Sequence, residues 1–239
     1  MLALVGQFWL ASKYRYLTEE RYRRKIYKTF GYYVDSRMLN NLIEKDPKSL
    51  LAGETKIACV LFLDIRDFSR LSQTYDAKQI VCFLNIFFAP ITEIIQRHQG
   101  FLDKFMGDGV LAFFSMGQNQ VSDAVQASRE IIIEINRMND TGRFSPFIGD
   151  WFINIGIGIH FGKVVMGNVG SEKKMDFTVI GNTVNLASRI EGLTKEHHKS
   201  LLLSETAYEM VKDYYPFEWL GANKIKGFEE PINVYALME

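Results

Sequence analysis

The 239-residue chain is short of cysteine and of net charge, and each shortage excludes a class of protein. Two cysteines cannot build the disulfide framework of a small secreted scaffold. Cys59, in an apolar strand-like run, and Cys82, on an apolar helical face, read as reduced core residues in a cytosolic setting. Twenty-eight Lys and Arg against 28 Asp and Glu give a formal net charge of zero, so no global field draws in nucleic acid. The opening run Met1–Leu10 (MLALVGQFWL) is too short to cross a bilayer, which takes about 20 residues. There is no internal repeat or low-complexity segment. With 47% hydrophobic residues the chain can bury a full core, and its length fits one domain of roughly 150 to 200 residues plus an extension.

Charge is nonetheless uneven. Lys13, Arg15, Arg21, Arg23, Arg24, Lys25 and Lys28 face only Glu19 and Glu20 over the stretch 13–28. An apolar end, Trp9, Tyr14 and Tyr16, and this basic stretch resemble the cytoplasmic exit of a transmembrane helix. Residues 1–10 are therefore either the last turns of a membrane helix or the start of an amphipathic extension. A cleaved signal peptide would carry its charges ahead of the apolar run. Lys13–Glu44 reads as mostly helical, with Ile26, Phe30, Val34, Met38, Leu39 and Leu42 near helical spacing, either as a surface helix or as one of a parallel pair joining two copies. Asp46–Thr55, with Pro47 and Gly53, marks a boundary. Residues 11–55 thus form a linker or dimerisation segment, and 56–239 the main domain.

Within that domain the pattern predicts strand 57–64, helices 67–75 and 77–98, a hairpin of strands 101–105 and 110–114, and helix 119–138. A loop over 139–150 leads to strand 152–160, a turn at Phe161-Gly162 and strand 163–169. An extended piece at 176–180, helix 182–195, strand 200–203, helix 205–213 and strands near 216–220 and 232–238 follow. The order β-α-β-β-α-β is the signature of an α+β, ferredoxin-like sheet with helices on one face, here extended by further α/β elements.

Two turns in this layout carry aspartates. Asp64 ends the apolar run Ile57–Leu63, long enough for a buried strand. The N–H groups near Phe68 and Ser69, opening the next helix, can face an anion beside it. Asp108 sits in Met106-Gly107-Asp108-Gly109, a hairpin tip. Each aspartate alone is explained by capping or turn chemistry. Together, on one compact unit, they suggest a paired-metal phosphate site, and hard oxygen ligands favour Mg²⁺ or Mn²⁺. Asn185 and Arg189 lie four apart on one helical face, either as solvent-facing residues beside Val184, Leu186 and Ile190 or as holders of a nucleotide's sugar and phosphates.

The joint pattern FLDIRDFS, DKFMGDG, DFTVIGNTVNLASR and IKGFEEP, over about Ile57 to Leu237, resembles the class III nucleotidyl cyclases. These convert a nucleoside triphosphate to its 3′,5′-cyclic monophosphate and pyrophosphate. The N-terminal segment resembles the membrane-to-catalytic linker of bacterial members. The resemblance implies Asp64 and Asp108 as ligands of two Mg²⁺ or Mn²⁺ ions per site, with the Ile65 carbonyl as an extra ligand. It implies Lys104 and Thr178 as base readers, as in the subgroup with a hydroxyl residue where many members have aspartate. Asn185 would position the ribose, Arg189 stabilise the transition state and Lys226 bind triphosphate, although Lys224 lies close by. No motif position falls on His98, His160, His197 or His198.

Base choice follows from polarity. A lysine donor at Lys104 and a hydroxyl acceptor at Thr178 complement adenine, whereas guanine reverses both, and a buried mismatch costs about 1 to 3 kcal/mol. The hydroxyl alone decides little, because it can also donate. The resemblance therefore implies an adenylyl cyclase acting on ATP as a symmetric homodimer, its catalytic domain cytoplasmic at the inner face of the plasma membrane below an upstream sensor region. A guanylyl cyclase, or a nucleotide-binding regulatory module without turnover, is the alternative. A nucleic-acid role rests only on the basic stretch, which membrane proximity explains better.

Overall fold

The structure is a computed structural model, and it describes residues 9, 13–22, 25, 53–171 and 174–238. The chain divides into two compact units, Met1–Leu50 and Leu51–Glu239. In the first, residues 13–22 are helical and largely exposed, and the Lys13 ammonium lies 5.8 Å from the centre of the Trp9 ring. Apart from Trp9, the expected membrane-helix end at 1–10 lies outside the described residues, as do the helical pattern beyond Lys25 and most of the 46–55 boundary.

The second unit is built on an eight-stranded sheet. Its first strand, β1 (Glu54–Ile65), is buried on both faces from Ala58 to Leu61 and largely so to Ile65, which is why the run Ala58–Leu63 is continuously apolar rather than alternating. It pairs antiparallel with β3 (Gly109–Phe114) on one side and with β4 (Ile155–Ser171) on the other, while β2 (Phe101–Met106) adds outside β3. The order β2-β3-β1-β4 is that of a ferredoxin-like sheet. It continues through β6 (Leu201–Ser204), β8 (Ile232–Leu237) and β7 (Phe217–Asn223), with β5 (Lys174–Ile180) paired to the far half of β4.

Three helices pack on the face presented by Cys59, Leu61, Leu63 and Ile65. After the short α1 (Phe68–Thr74), α2 (Ala77–Arg97) starts at a capping box: Asp76 accepts from the Lys78 N–H at 2.6 Å, and Gln79 accepts from the Asp76 N–H at 3.2 Å. By length and composition α2 could cross a membrane, but Ile80, Phe83, Phe87, Ile91, Ile94 and Ile95 form a stripe buried in the core. Cys82 falls off that stripe and is exposed, which corrects its reading as a core residue. The third helix, α3 (Gln120–Asp140), contributes Val121, Ala124, Ile131 and Ile135, and Glu130 on α3 ties it to His98 at the end of α2.

The opposite face receives α5 (Asn182–Glu196). Leu186, Ile190 and Leu193 pack there with Leu202, Val234 and Ala236 in a second cluster. The approach is close because β4 presents glycines. A Cβ on Gly158 would lie 2.1 Å from the Glu191 backbone nitrogen, and one on Gly156 would lie 2.2 Å from Thr194 Oγ1. Gly162 belongs to this path: its Cβ would meet Thr183 Oγ1 at 2.8 Å. The turn expected at Phe161-Gly162 is therefore absent, and β4 runs unbroken with Gly162 opposite Ala58. A glycine in a strand marks close backbone approach as readily as a turn.

Two smaller departures complete the picture. A short helix, α4 (Ser145–Ile148), lies in the expected 139–150 loop, with Phe144 and Ile148 buried. The helix expected over 205–213 is α6 (Glu205–Tyr208) alone. Beyond it the N–H groups of Met210, Val211 and Tyr214 bond three residues back, tightening the chain into turns.

Candidate active site

Register brings the two turns together. Leu63 pairs with Val110 and Asp64 with Gly156, so the end of β1 lies beside the β2–β3 hairpin tip. That hairpin closes on Gly107 and Asp108, with Met106 opposite Gly109 and Gly107 at φ 69°. A positive φ at the first of two loop residues suits a type II′ turn and demands glycine. Gly109 matters for another reason: a Cβ there would lie 3.2 Å from the Leu63 carbonyl oxygen and 3.4 Å from Asp64 Oδ1. Its bare backbone lets the tip sit against the Asp64 carboxyl group.

The N–H groups of Asp108 itself and of Ile65 favour the charged form of the Asp108 carboxyl. Burial first, and then the neighbouring Asp64 carboxyl, push its pKa up. Two like charges held this close call for a cation, and the donors are hard oxygens suited to Mg²⁺ or Mn²⁺. Among the described residues no group of three or more His, Cys, Asp or Glu side chains is arranged to hold a metal.

Two neighbours of this pair escaped the sequence reading. Glu191 on α5 is pushed up to about 7 by burial first, then by Asp64 and Asp108, with Arg66 opposing. Arg66, next to Ile65, donates from Nη2 to the Thr194 carbonyl at 3.0 Å and the Lys199 carbonyl at 2.6 Å. It thereby clamps the aspartate turn to the C-terminal end of α5. Glu191 and Arg66 gave no sequence signal of their role, because the contacts span elements far apart in the chain.

The remaining expected residues fall into three groups. Phe68 and Ser69 open α1 after Asp67, which has φ 57°, and their N–H groups lie ahead of the first bonds to the Asp67 carbonyl, from Arg70 and Leu71. Phe68 is partly buried against the core and Ser69 is exposed. Asn185 and Arg189 occupy the exposed stripe of α5, while Leu186, Ala187 and Ile190 are buried. Lys226 is exposed in the β7–β8 connection, directly after Ile225, which is buried against Leu186, Ile190 and Leu193. The lysine loop is thus anchored to the helix that carries Asn185 and Arg189.

Lys104 on β2 and Thr178 on β5 meet through a residue the sequence reading did not single out. Thr178 is buried, and its hydroxyl donates to Asp103 Oδ2 at 2.5 Å. The Asp103 side chain is fully enclosed, with Oδ1 3.9 Å from Lys104 Nζ. Burial foremost raises its pKa, opposed by Thr178, Lys104 and the Val179 N–H. The β2–β3 register slips between Leu102 and Lys104, so Asp103 is the extra residue of a β-bulge. Bulges re-aim side chains, and nothing in strand alternation announces this one.

The histidines serve elsewhere. His98 pairs with Glu130, His160 Nδ1 lies 2.7 Å from Ser204 Oγ, and His197 Nε2 lies 2.9 Å from Asn223 Oδ1. A groove of about 650 Å³ between α2 and α3, and one of about 650 Å³ between α3 and the β7–β8 edge, contain none of the site residues.

Comparison with known proteins gives the family. Residues 51–239 match the family described as the adenylate and guanylate cyclase catalytic domain. The chain is 32% identical to an adenylate cyclase of Anabaena cylindrica over 222 residues, covering 89% of this chain and 43% of that protein. It is 29% identical to adenylate cyclase 1 of Rhizobium meliloti, covering 88% of this chain and 32% of that one. The chain therefore spans less than half the length of these curated relatives. Among solved structures, the adenylyl cyclase CyaB from P. aeruginosa superposes with a TM-score of 0.70 at 29% identity, over 78% of this chain and 95% of that one. A bacterial light-regulated adenylyl cyclase gives a TM-score of 0.79 at 26% identity, over 92% and 63%. The guanylyl cyclase Cya2 gives 0.68 at 30%, over 77% and 93%. From its sheet order, its paired aspartates and these likenesses, the chain belongs to the family of adenylate and guanylate cyclase catalytic domains.

Proposed function

We propose that this chain is the catalytic domain of an adenylyl cyclase, converting ATP to 3′,5′-cyclic AMP and pyrophosphate in a site shared by two copies. The observation that carries the reading is the crowding of Asp64 and Asp108 at the hairpin tip in a chain that also holds Lys104, Thr178, Asn185 and Arg189. A regulatory module without turnover has no use for so complete a set.

In this reading Asp64, Asp108 and the Ile65 carbonyl hold two Mg²⁺ or Mn²⁺ ions, which when bound lower the pKa of the ribose 3′-hydroxyl and neutralise triphosphate charge. The N–H groups at Phe68 and Ser69 and the Lys226 ammonium bind phosphate oxygens. Asn185 orients the ribose so that its 3′-oxygen attacks the α-phosphorus in line with the departing pyrophosphate. As that P–O bond forms and the bond to the β-phosphate oxygen breaks, Arg189 donates to the oxygens that gain charge, a contribution of about 10² to 10³ in rate. Lys104 donates to adenine N1, and Thr178 accepts from the N6 amino group. No histidine acts as base, and the 3′-proton passes to water or to substrate.

Asn185 and Arg189 stand exposed on the single chain, as residues would that act on a nucleotide held partly by another copy. The family resemblance, rather than exposure alone, supports a symmetric homodimer with two equivalent sites, one copy giving the aspartates and the other the base, ribose and transition-state residues. The basic, aromatic segment at 9–28 supports a cytoplasmic domain tethered at the inner face of the plasma membrane, below an upstream sensor region. The likeness to Cya2 keeps guanylyl cyclase as the second reading.

Turnover of the purified protein with ATP and with GTP, each with Mg²⁺ and with Mn²⁺, tests the proposal. Cyclic AMP and pyrophosphate in equal amounts, with ATP preferred, are expected. Preference for GTP would transfer the assignment to guanylyl cyclase, and binding of ATP without product would make the chain a regulatory module.

A further inference from the structure

We infer that Asp103 is a positioning residue that sets the polarity of both base readers and so makes the site select adenine over guanine. The inference rests on the reading of Lys104 and Thr178 as the residues that face the base.

A threonine hydroxyl carries one proton and two lone pairs, so an unconstrained one serves an amino group or a carbonyl equally. Thr178 is constrained: its proton is committed to Asp103 Oδ2 at 2.5 Å. What remains to offer a ligand is lone-pair density. That complements the exocyclic amine of adenine and repels the O6 of guanine. The other carboxylate oxygen, Oδ1, is buried without a hydrogen-bond partner and lies 3.9 Å from Lys104 Nζ. It holds the ammonium group near the place from which it donates to N1, a position that carries a proton in guanine. One carboxylate thus fixes an acceptor and a donor together.

Asp103 is fitted for this task. Its side chain is wholly enclosed, so water does not compete for the Thr178 proton, and a charge-assisted hydrogen bond is about twice as strong as a neutral one. The bulge between Leu102 and Lys104 is what lets Asp103 and Lys104, neighbours on one strand, bring their side chains to within 3.9 Å of each other. A purely structural tether of β5 to β2 would affect all nucleotides alike. A polarity device changes their ratio.

The test is the ratio of kcat/KM for ATP to that for GTP in Asp103→Ala, Thr178→Val and the double variant, with thermal unfolding measured in parallel. Asp103→Leu, nearly the size of aspartate, replaces the alanine variant if that one does not fold. Removing Asp103 should lower the ATP-to-GTP ratio by tenfold or more, the scale of one buried polar mismatch. In the Thr178→Val background the Thr178 part of that fall should disappear, leaving only what passes through Lys104. An equal loss of activity on both nucleotides, or a fall undiminished in the Thr178→Val background, overturns the inference while leaving Thr178 as a base reader. If Thr178→Val itself leaves the ratio unchanged, the base-reading assignment fails and the inference with it.

Discussion

A methyl group placed on Gly158 strikes the contact that positions α5. Its carbon would lie 2.1 Å from the Glu191 nitrogen and 2.6 Å from both the Ala187 carbonyl oxygen and Glu191 Cα. All three are backbone atoms, so no side chain can rotate away. Restoring an ordinary 3.4 Å contact requires α5 to withdraw by about 1.3 Å, and Asn185 and Arg189 move with it. Overpacking of this kind costs about 1 to 3 kcal/mol. For a domain of this size each kcal/mol lowers Tm by about 2 to 4 °C. A misplacement of about 1 Å at the reacting geometry costs about 10² in rate. Gly158→Ala should therefore lose about 100-fold in kcat together with several degrees in Tm. The control is Gly192→Ala in the same helix, where a Cβ meets nothing within 4 Å; it should keep full activity and gain slightly in stability. Wild-type kcat and Tm in Gly158→Ala would refute the argument that helix-to-strand contact sets the site.

Other consequences can be read at equilibrium. Burial lowers the His160 pKa from 6.5 to about 4, so between those values the unfolded chain binds a proton that the folded chain refuses. Stability from this group is complete above about pH 6.5 and falls as the solution is acidified towards pH 4, by up to about 3 kcal/mol. Urea titrations across that range should show the slope, and His160→Gln should flatten it; a wild-type slope in the variant would contradict the assignment. For the cysteines, Cys82 is exposed, while Cys59 is buried with its thiol pKa pushed up. A thiol reagent should modify one cysteine in the native protein and two in denaturant, and rapid native modification of both would contradict the packing of β1.

How much of this was legible beforehand depended on the range of the interaction. Asp64 and Asp108 were readable because each lies at a local signal, the end of an apolar run and a glycine-flanked turn. The ferredoxin-like order followed from the element sequence, since β1 is a continuous apolar run over Ile57–Leu63 and the helical stripes are regular. Gly162 was misread because a strand glycine under a helix and a turn glycine look alike in one dimension. Cys82 was misplaced by a single helical position, about 100° around α2 from Phe83. Asp103 left no trace, for its aim is set by a bulge and its partner Thr178 lies 75 residues away. Glu191 and Arg66 share that fate. Their meaning arises only when α5 crosses the end of β1.

The shared site is the central claim, and mixing two inactive variants tests it most directly. On the proposed roles, Asp108→Asn would remove a metal carboxylate and Arg189→Ala the transition-state donor, and each alone should fall by at least about 10² in kcat. Random pairing of equal amounts makes half of the dimers mixed, each with one intact site of two, so the mixture should recover about a quarter of wild-type activity. No recovery, with mixed dimers shown to be present, would contradict the account.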